Sequence, residues 1–485
     1  MKKEIIKGVF WIGIAKYSGI IISLIISAIL ARLLSPREFG TIAIVTVILN
    51  FMGMFATMGI FPAIIQRNDL TQKKLNSIFT FSLISGTLAM LILIGLSWTI
   101  ANLYKDHTLV SVSWLLSIYL FFTSANLVPN ALMTKNKKFR EIALRSLILQ
   151  LTCGFVSVLA AFAGWGIYAL VISPIFSSIG LFIYNMRFYP CQIDWKMDIS
   201  PIKSIFNFSF FQLMFEFVNY FSRNLDKLII GKYLNMSALG YYDKSYRLML
   251  IPMQNITSVI NPVLQPILSC LQNDSKEMAK KYNKLIHFIA TFSFPLTIML
   301  YFNAFEIINI VYGSRWNTAI PILKILALSI PFQMILSTSG SIFLAINDVK
   351  RQFFVGIRNT ITTVTGFLIA AFFFSTIEAM AWAWTITLFI NFACSFFIMY
   401  RYSLKSPLIL MLKELTYSII SAVILSLLLI GLQKIITDFT IVTRFIIKAT
   451  LSLVFSLIFV QVTKQYNVIS KIKQIRHKYD RNKKN

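Results

Sequence analysis

Between positions 212 and 227, Gln212, Glu216, Asn219, Arg223, Asp226 and Lys227 each lie three or four residues from another of the set. On a helix that spacing gathers them on one face. A second set, Lys244, Arg247, Gln254, Asn261 and Gln265, follows at similar spacing. Only a short turn near 234–237 separates the two, so Arg223, Lys227, Lys244 and Arg247 are expected close together. Asp226 and Asp243 are the available counter-ions, which leaves a surplus of two positive charges. Two chemistries fit: a cavity that receives an anion, or a structural ion-pair network. Lys16 lies about eight residues, or ~12 Å, into the first apolar run and corresponds to Glu216 at an offset of 200 residues. It reads either as a ligand-binding cation or as one half of a Lys16–Glu216 clamp.

Other chemistry has little support. Cys153, Cys191, Cys270 and Cys394 are far apart, as are His107, His287 and His477, so no metal constellation and no disulfide scaffold is indicated. No GxxxxGK[ST] occurs, which argues against an ATP-driven pump. No cofactor is called for.

The elements that position these residues are apolar runs. Of 485 residues 57% are hydrophobic and only 13% charged, and mean hydropathy is +0.73. A soluble fold cannot cover itself with so few charges. The net charge of +28 resides in short clusters between the runs, a membrane-loop pattern rather than a nucleic-acid surface. A soluble enzyme, a DNA-binding protein and a disordered chain are excluded. Runs long enough to span a bilayer cover 8–34, 41–66, 77–103, 108–133, 141–163, 166–188, 205–231, 238–270, 283–311, 319–346, 354–375, 378–400, 408–431 and 443–463. The fold class is therefore an all-α polytopic membrane protein with about 14 transmembrane helices. The first run mimics a signal peptide, but Lys16 interrupts it and no convincing cleavage site follows, so it is read as a span.

With both ends cytoplasmic, the inside segments hold 31 Lys and Arg and the outside loops 7, as the positive-inside rule requires. Eight more lie within spans; of these, Lys448 and Arg145 sit near span ends, where they are expected to snorkel. Residues 30–41, LARLLSPREFGT, align without gaps on 230–241, IGKYLNMSALGY. That offset implies two parallel six-helix lobes around a central cavity, 1–200 and 201–405, then two further helices over 406–463 and a basic cytoplasmic tail over 464–485. Prolines 62, 129, 174, 252, 262, 266, 295 and 331 permit kinks. Tyr220, Tyr241, Tyr242 and Tyr246 read either as sugar-stacking rings or as interfacial anchors.

The strings LARLLSPREFGTIAIV (30–45), QRNDLTQKKLNSIF (66–79), NYFSRNLDKLIIGKYLNMSALGYYDKSYRLMLIP (219–252) and YGSRWNTAIPILKIL (312–326) resemble the polysaccharide-transport branch of the multidrug/oligosaccharidyl-lipid/polysaccharide exporter superfamily. The similarity is nearest the colanic-acid subgroup of Wzx-type flippases and runs through roughly residues 1–400. It implies a transporter, not an enzyme, that turns undecaprenyl-diphosphate-linked oligosaccharides from the cytoplasmic to the periplasmic leaflet of the bacterial inner membrane. The implied partners are that substrate, bilayer lipids and polysaccharide polymerase or assembly proteins, with no nucleic acid. The expected substrate site is Lys16, Glu216, Arg223, Asp226, Lys227, Lys244 and Arg247. The alternatives are a drug or cation exporter, whose first span often carries an acid where this chain has Lys16, and a lipid II flippase, whose second span usually carries a cation where 41–66 has no charge within its apolar core.

Overall fold

The computed structural model describes residues 2–57, 60–67, 70–195, 220–221, 223–272 and 274–463. All regular secondary structure among them is helical. Among the described residues eleven helices are long and apolar enough to cross a bilayer, and a bent pair makes twelve. Of the other expected spans, 205–231 lies mostly outside the described residues. The run 238–270 is a helix of 34 residues, Met236–Ser269; its charges, amides and three prolines lower its hydropathy below that of the others. Glu216 and the tail over 464–485 lie outside the described residues.

The first compact unit comprises Met1–Asp243 with Val311–Arg315. It contains α1 (Lys2–Leu33), α2 (Pro36–Thr57), α3 (Ile60–Gln66), α4 (Gln72–Tyr104), α5 (Thr108–Ala125), α6 (Leu127–Lys135), α7 (Phe139–Phe162), α8 (Tyr168–Phe188), α9 (223–233) and the start of α10 (Met236–Ser269). α1 packs on α7, α4 on α5, and α2 on both α4 and α5. The expected span 108–133 is two helices, α5 and α6, parted at Asn126, whose amide oxygen accepts from Asn185 Nδ2 at 2.6 Å.

Local sequence fixes where α2 and α10 begin. Ser35 donates its N–H and hydroxyl to Glu38 Oε2 at 2.7 and 2.8 Å, and its Oγ accepts from the Glu38 N–H at 3.4 Å. This is a reciprocal capping box, with Pro36 preset for the first helical position. Two hundred residues on, Asn235 Oδ1 accepts from the Ala238 N–H at 2.8 Å. Ser35 and Asn235 differ in type yet cap equivalent helices, so the repeat extends beyond its identities. The two helix starts also cross at their glycines. A Cβ on Gly40 would lie 1.7 Å from the Met236 carbonyl oxygen, and one on Gly240 would lie 2.0 Å from that of Pro36. Pro36 and Met236 are themselves 200 residues apart, so the contact is reciprocal, as across a local two-fold axis. Only glycine permits so close an approach.

The second compact unit comprises Lys244–Ile310 and Trp316–Asn485. It holds the rest of α10, then α11 (Ser275–Phe302), most of α12 (Ala304–Val311), α13 (Ala319–Ala327), α14 (Ile330–Ala345), α15 (Val349–Ile369), α16 (Ile377–Ile398), α17 (Leu408–Ile435) and α18 (Ile441–Val462). The expected single span 319–346 is broken: α13 and α14 meet at 51°, with Pro331 in the first turn of α14, where a missing N–H costs nothing. α17 packs on α11, and α18 on both. Large apolar residues on their outer faces, such as Leu427, Leu453 and Leu457, are exposed. In a multi-pass membrane protein these faces meet lipid rather than water.

Two charges within spans behave otherwise than their sequence positions suggest. Neither Lys448 nor Arg145 snorkels; both are buried. Lys448 Nζ pairs with Glu306 Oε1 at 2.7 Å and donates to the Phe302 carbonyl at 3.1 Å. Arg145 donates to Asn130 Oδ1 at 2.6 Å and reaches Met133 Sδ at 3.1 Å. The partners lie 142 and 15 residues away, beyond the reach of a reading based on span depth.

Candidate functional site

Residues 223–233 of α9 and the first turns of α10 form a hairpin in the first unit. Tyr220, just before it, donates to the Val47 carbonyl at 2.6 Å, and Tyr104 donates to that of Leu228 at 3.3 Å. Lys232 Nζ reaches the Leu103 carbonyl at 2.6 Å. These bonds hold the hairpin against α2 and the end of α4. Gly231 lets Ile44 and Tyr104 approach its backbone: a Cβ there would lie 2.7 Å from Ile44 Cδ1.

Within the hairpin the structure brings Asp226, Lys227 and Asp243 together. Lys227 Nζ pairs with Asp243 Oδ1 at 2.8 Å, and both side chains are largely buried. Asp226, 1% exposed, is approached by the Lys227 ammonium and the Tyr242 hydroxyl and is repelled by Asp243. Lys227 thus pairs with one carboxylate, Asp243, while neither oxygen of the buried Asp226 has a hydrogen-bond partner by distance and angle among the described residues. In a medium of low dielectric the Lys227–Asp243 pair is held firmly, and loss of one member leaves a costly unpaired charge.

The remaining candidates are placed differently. Arg223, one turn before Lys227, is exposed and makes no hydrogen bond or ion pair among the described residues. Lys244 is buried and Arg247 exposed; both continue along α10, past the point at which the chain enters the second unit. Lys16 is exposed on α1, and its expected partner Glu216 lies outside the described residues.

The tyrosines are packing groups in this conformation. Tyr242 is fully buried, its hydroxyl turned to Asp226. Tyr246 meets Trp384 edge-on at 5.3 Å. Tyr220 lies beside Phe51 at 6.3 Å, and the Tyr241 hydroxyl reaches the Arg315 carbonyl at 3.5 Å. Sequence reasoning missed the Tyr242–Asp226 contact, although the aromatic stands only one residue before Asp243. Among the described residues no group of three or more His, Cys, Asp or Glu could hold a metal ion. Burial pushes the Cys191 thiol up to about 11, so it behaves as a small hydrophobe within the core of Ile64, Ile78, Phe79 and Val128.

Residues 29–321, which include the whole hairpin and both crossing glycines, match the family described as polysaccharide biosynthesis protein. The chain belongs to that family. It is 26% identical over 397 residues to the teichuronic acid biosynthesis protein TuaB of Bacillus subtilis, covering 80% of this chain and 81% of that one. It is 22% identical over 378 residues to the lipopolysaccharide biosynthesis protein WzxC of Escherichia coli, covering 76% and 75%. Among solved structures, the lipid II flippase MurJ in an inward closed conformation matches with a TM-score of 0.72 at 19% identity, over 94% of this chain and 98% of that one. An inward-facing multidrug resistance transporter of the MATE family matches with a TM-score of 0.62 at 11% identity, over 82% and 99%. The fold is that of the multidrug/oligosaccharidyl-lipid/polysaccharide exporter superfamily.

Proposed function

We propose that this protein is a flippase that moves undecaprenyl-diphosphate-linked oligosaccharide repeat units from the cytoplasmic to the periplasmic leaflet of the bacterial cytoplasmic membrane, with both termini cytoplasmic. The observation that carries the reading is the family match over 29–321, a stretch that contains five cations against two carboxylates from Arg223 to Arg247. The relatives are named for different polymers: teichuronic acid, lipopolysaccharide and succinoglycan. What such substrates would share is a compact polyanionic headgroup, and basic side chains in a poorly hydrated site bind one strongly. The lipid tail can stay in the bilayer while the head crosses.

On this reading the two lobes are 1–200 and 201–405. Arg223, Lys244 and Arg247 meet the diphosphate, with Lys16 and Glu216 nearer the cytoplasmic mouth. Asp226, Lys227 and Asp243 are its rigid base. The test separates the two roles. Arg223→Ala should abolish surface glycan export with protein level retained, and Arg223→Lys should rescue only partly, because lysine lacks the bidentate fork. Lys227→Asp should lower abundance, and combining it with Asp243→Lys should restore abundance. Lipid-linked intermediates should accumulate in the inner leaflet of the Arg223→Ala strain. Full export by Arg223→Ala would sink the assignment, and toxin sensitivity without glycan loss would favour a drug exporter.

A further inference from the structure

The start of α7 and the start of α1 enclose a second basic site, remote in sequence from the 223–247 hairpin. Gly8 allows the Phe139 ring to close on α1: a Cβ at that glycine would lie 2.7 Å from Phe139 Cδ2. Beside this contact is a cavity of 380 Å³, lined by Trp11, Lys137, Lys138, Arg140 and Glu141 among others. That volume falls at the lower end of small-molecule sites, which run from about 300 to 1,000 Å³. Three cations face one carboxylate.

The lining is built rather than incidental. The turn is closed by the Lys137 N–H on the Thr134 carbonyl at 3.0 Å and the Lys138 N–H on that of Met133 at 3.0 Å. Lys137 holds a left-handed backbone, φ 56°, a conformation that is uncommon away from glycine. The Arg140 guanidinium stands 5.5 Å from the centre of the Trp11 ring, so its direction is set before any ligand arrives. Lys135, the neighbouring cation, is spent on the carbonyls of Ile64 and Arg67 at the end of α3. Lys137 and Lys138, by contrast, make no side-chain hydrogen bond or ion pair among the described residues.

The position says which ligand. The apolar spans of these two helices run Phe10–Leu33 and Phe139–Phe162, so the cavity lies where both enter the hydrocarbon, at headgroup depth. The geometry points to a binding site for an anionic, phosphate-bearing headgroup held by Lys137, Lys138 and Arg140 with Trp11 as its apolar wall. The site does not depend on the flippase reading: any anionic phospholipid of that leaflet supplies the chemistry, and a free phosphate compound carries it too.

The full-length protein, purified in neutral detergent, can be titrated with phosphatidylglycerol or phosphatidylcholine and its retained lipid counted by native mass spectrometry. Phosphatidylglycerol should be retained in preference. Each basic residue removed should weaken retention about 5-fold, the equivalent of about 1 kcal/mol, so Lys138→Gln with Arg140→Gln should weaken it about 25-fold. These side chains are exposed, so the unfolding midpoint should fall only slightly, by the lost Arg140–Trp11 contact. Lys276→Gln with Lys280→Gln, on exposed positions of α11, is the control and should change nothing. Inorganic pyrophosphate as competitor distinguishes the sources: displacement of the lipid assigns the site to the phosphate group alone, and persistence of the lipid assigns it to a headgroup anchored by its tail. Equal retention of the two lipids, undiminished retention in the double variant, or an equal loss in the α11 control would overturn the proposal.

Discussion

Substituting alanine for either crossing glycine tests the reciprocal contact between α2 and α10 directly. A carbon and a carbonyl oxygen in ordinary contact lie about 3.3 Å apart. The added Cβ would lie 1.7 Å from Met236 O at Gly40 and 2.0 Å from Pro36 O at Gly240, so the helices must part by about 1.6 or 1.3 Å. The obstacles are backbone atoms, which cannot rotate away. Overpacking of this kind costs up to about 3 kcal/mol, and alanine returns up to about 1 kcal/mol through helix propensity. Each variant should therefore lose about 2 kcal/mol. The decisive quantity is the double variant: once one alanine has opened the crossing, the second meets little resistance. Its loss should fall well short of the ~4 kcal/mol sum, because the two sites share one contact. Unfolding in mixed detergent micelles gives the numbers, with Gly95→Ala and Gly431→Ala as controls. A Cβ at either of those meets nothing within 4 Å, so they should be neutral or slightly stabilising. Single variants as stable as the parent, or a double variant that shows the full sum, would refute the crossing.

Other perturbations address different parts of the molecule. Lys448→Met or Glu306→Gln should each lower stability by about 3–5 kcal/mol by leaving a buried group without its partner, and Lys448→Met with Glu306→Leu should recover most of it, measured by the same unfolding assay. Asp106, in the turn between α4 and α5, is raised by burial, but hydrogen bonds from Thr108 and the charge of Arg37 outweigh this and hold its carboxyl below the usual carboxylate range. Its contribution is complete above the unfolded value of about 3.9 and is lost as pH falls through the lower folded value, so Asp106→Asn should cost about 1–2 kcal/mol at pH 7 and flatten the acid limb of a stability profile. Alkaline phosphatase fused after residue 105 or 315 should be active, and after 138 or 280 silent; the opposite pattern would invert the proposed orientation.

What was legible in the sequence followed from local rules. Apolar length announces a span, and the Gly40–Gly240 repeat was visible because a backbone crossing tolerates no other residue. The break between α13 and α14 was only half visible: Pro331 marks a place where the backbone can turn, but its placement in the first turn of a new helix depends on packing against α11 and α16. Lys448 was misread because depth in a span is a one-dimensional measure. Its partner Glu306 is brought to it by the docking of α18 on α11, and no spacing rule connects residues so far apart. The same holds for Tyr242, whose ring suits a sugar as well as a core until the fold turns its hydroxyl to Asp226.

The buried ions balance one another in charge, and the charges left exposed bear on function more than the buried ones do. Lys448 and Glu306 form a pair of equal and opposite charges, an arrangement that anchors a helix and asks for nothing further. In the α9–α10 hairpin Lys227 pairs with Asp243, and Asp226 and Lys244 are buried beside them in the sequence, two cations to two carboxylates, so the buried part of the cluster carries no positive surplus. The surplus counted in the sequence therefore belongs to its neighbours, and among these Arg223 and Arg247 are exposed. On the proposed reading this ordering matters. An anion would meet the exposed Arg223 and Arg247 first, and only then the more deeply set Lys244. Buried Lys227 and exposed Arg223 thus predict opposite phenotypes, loss of protein for one and loss of export for the other, from positions a single helical turn apart.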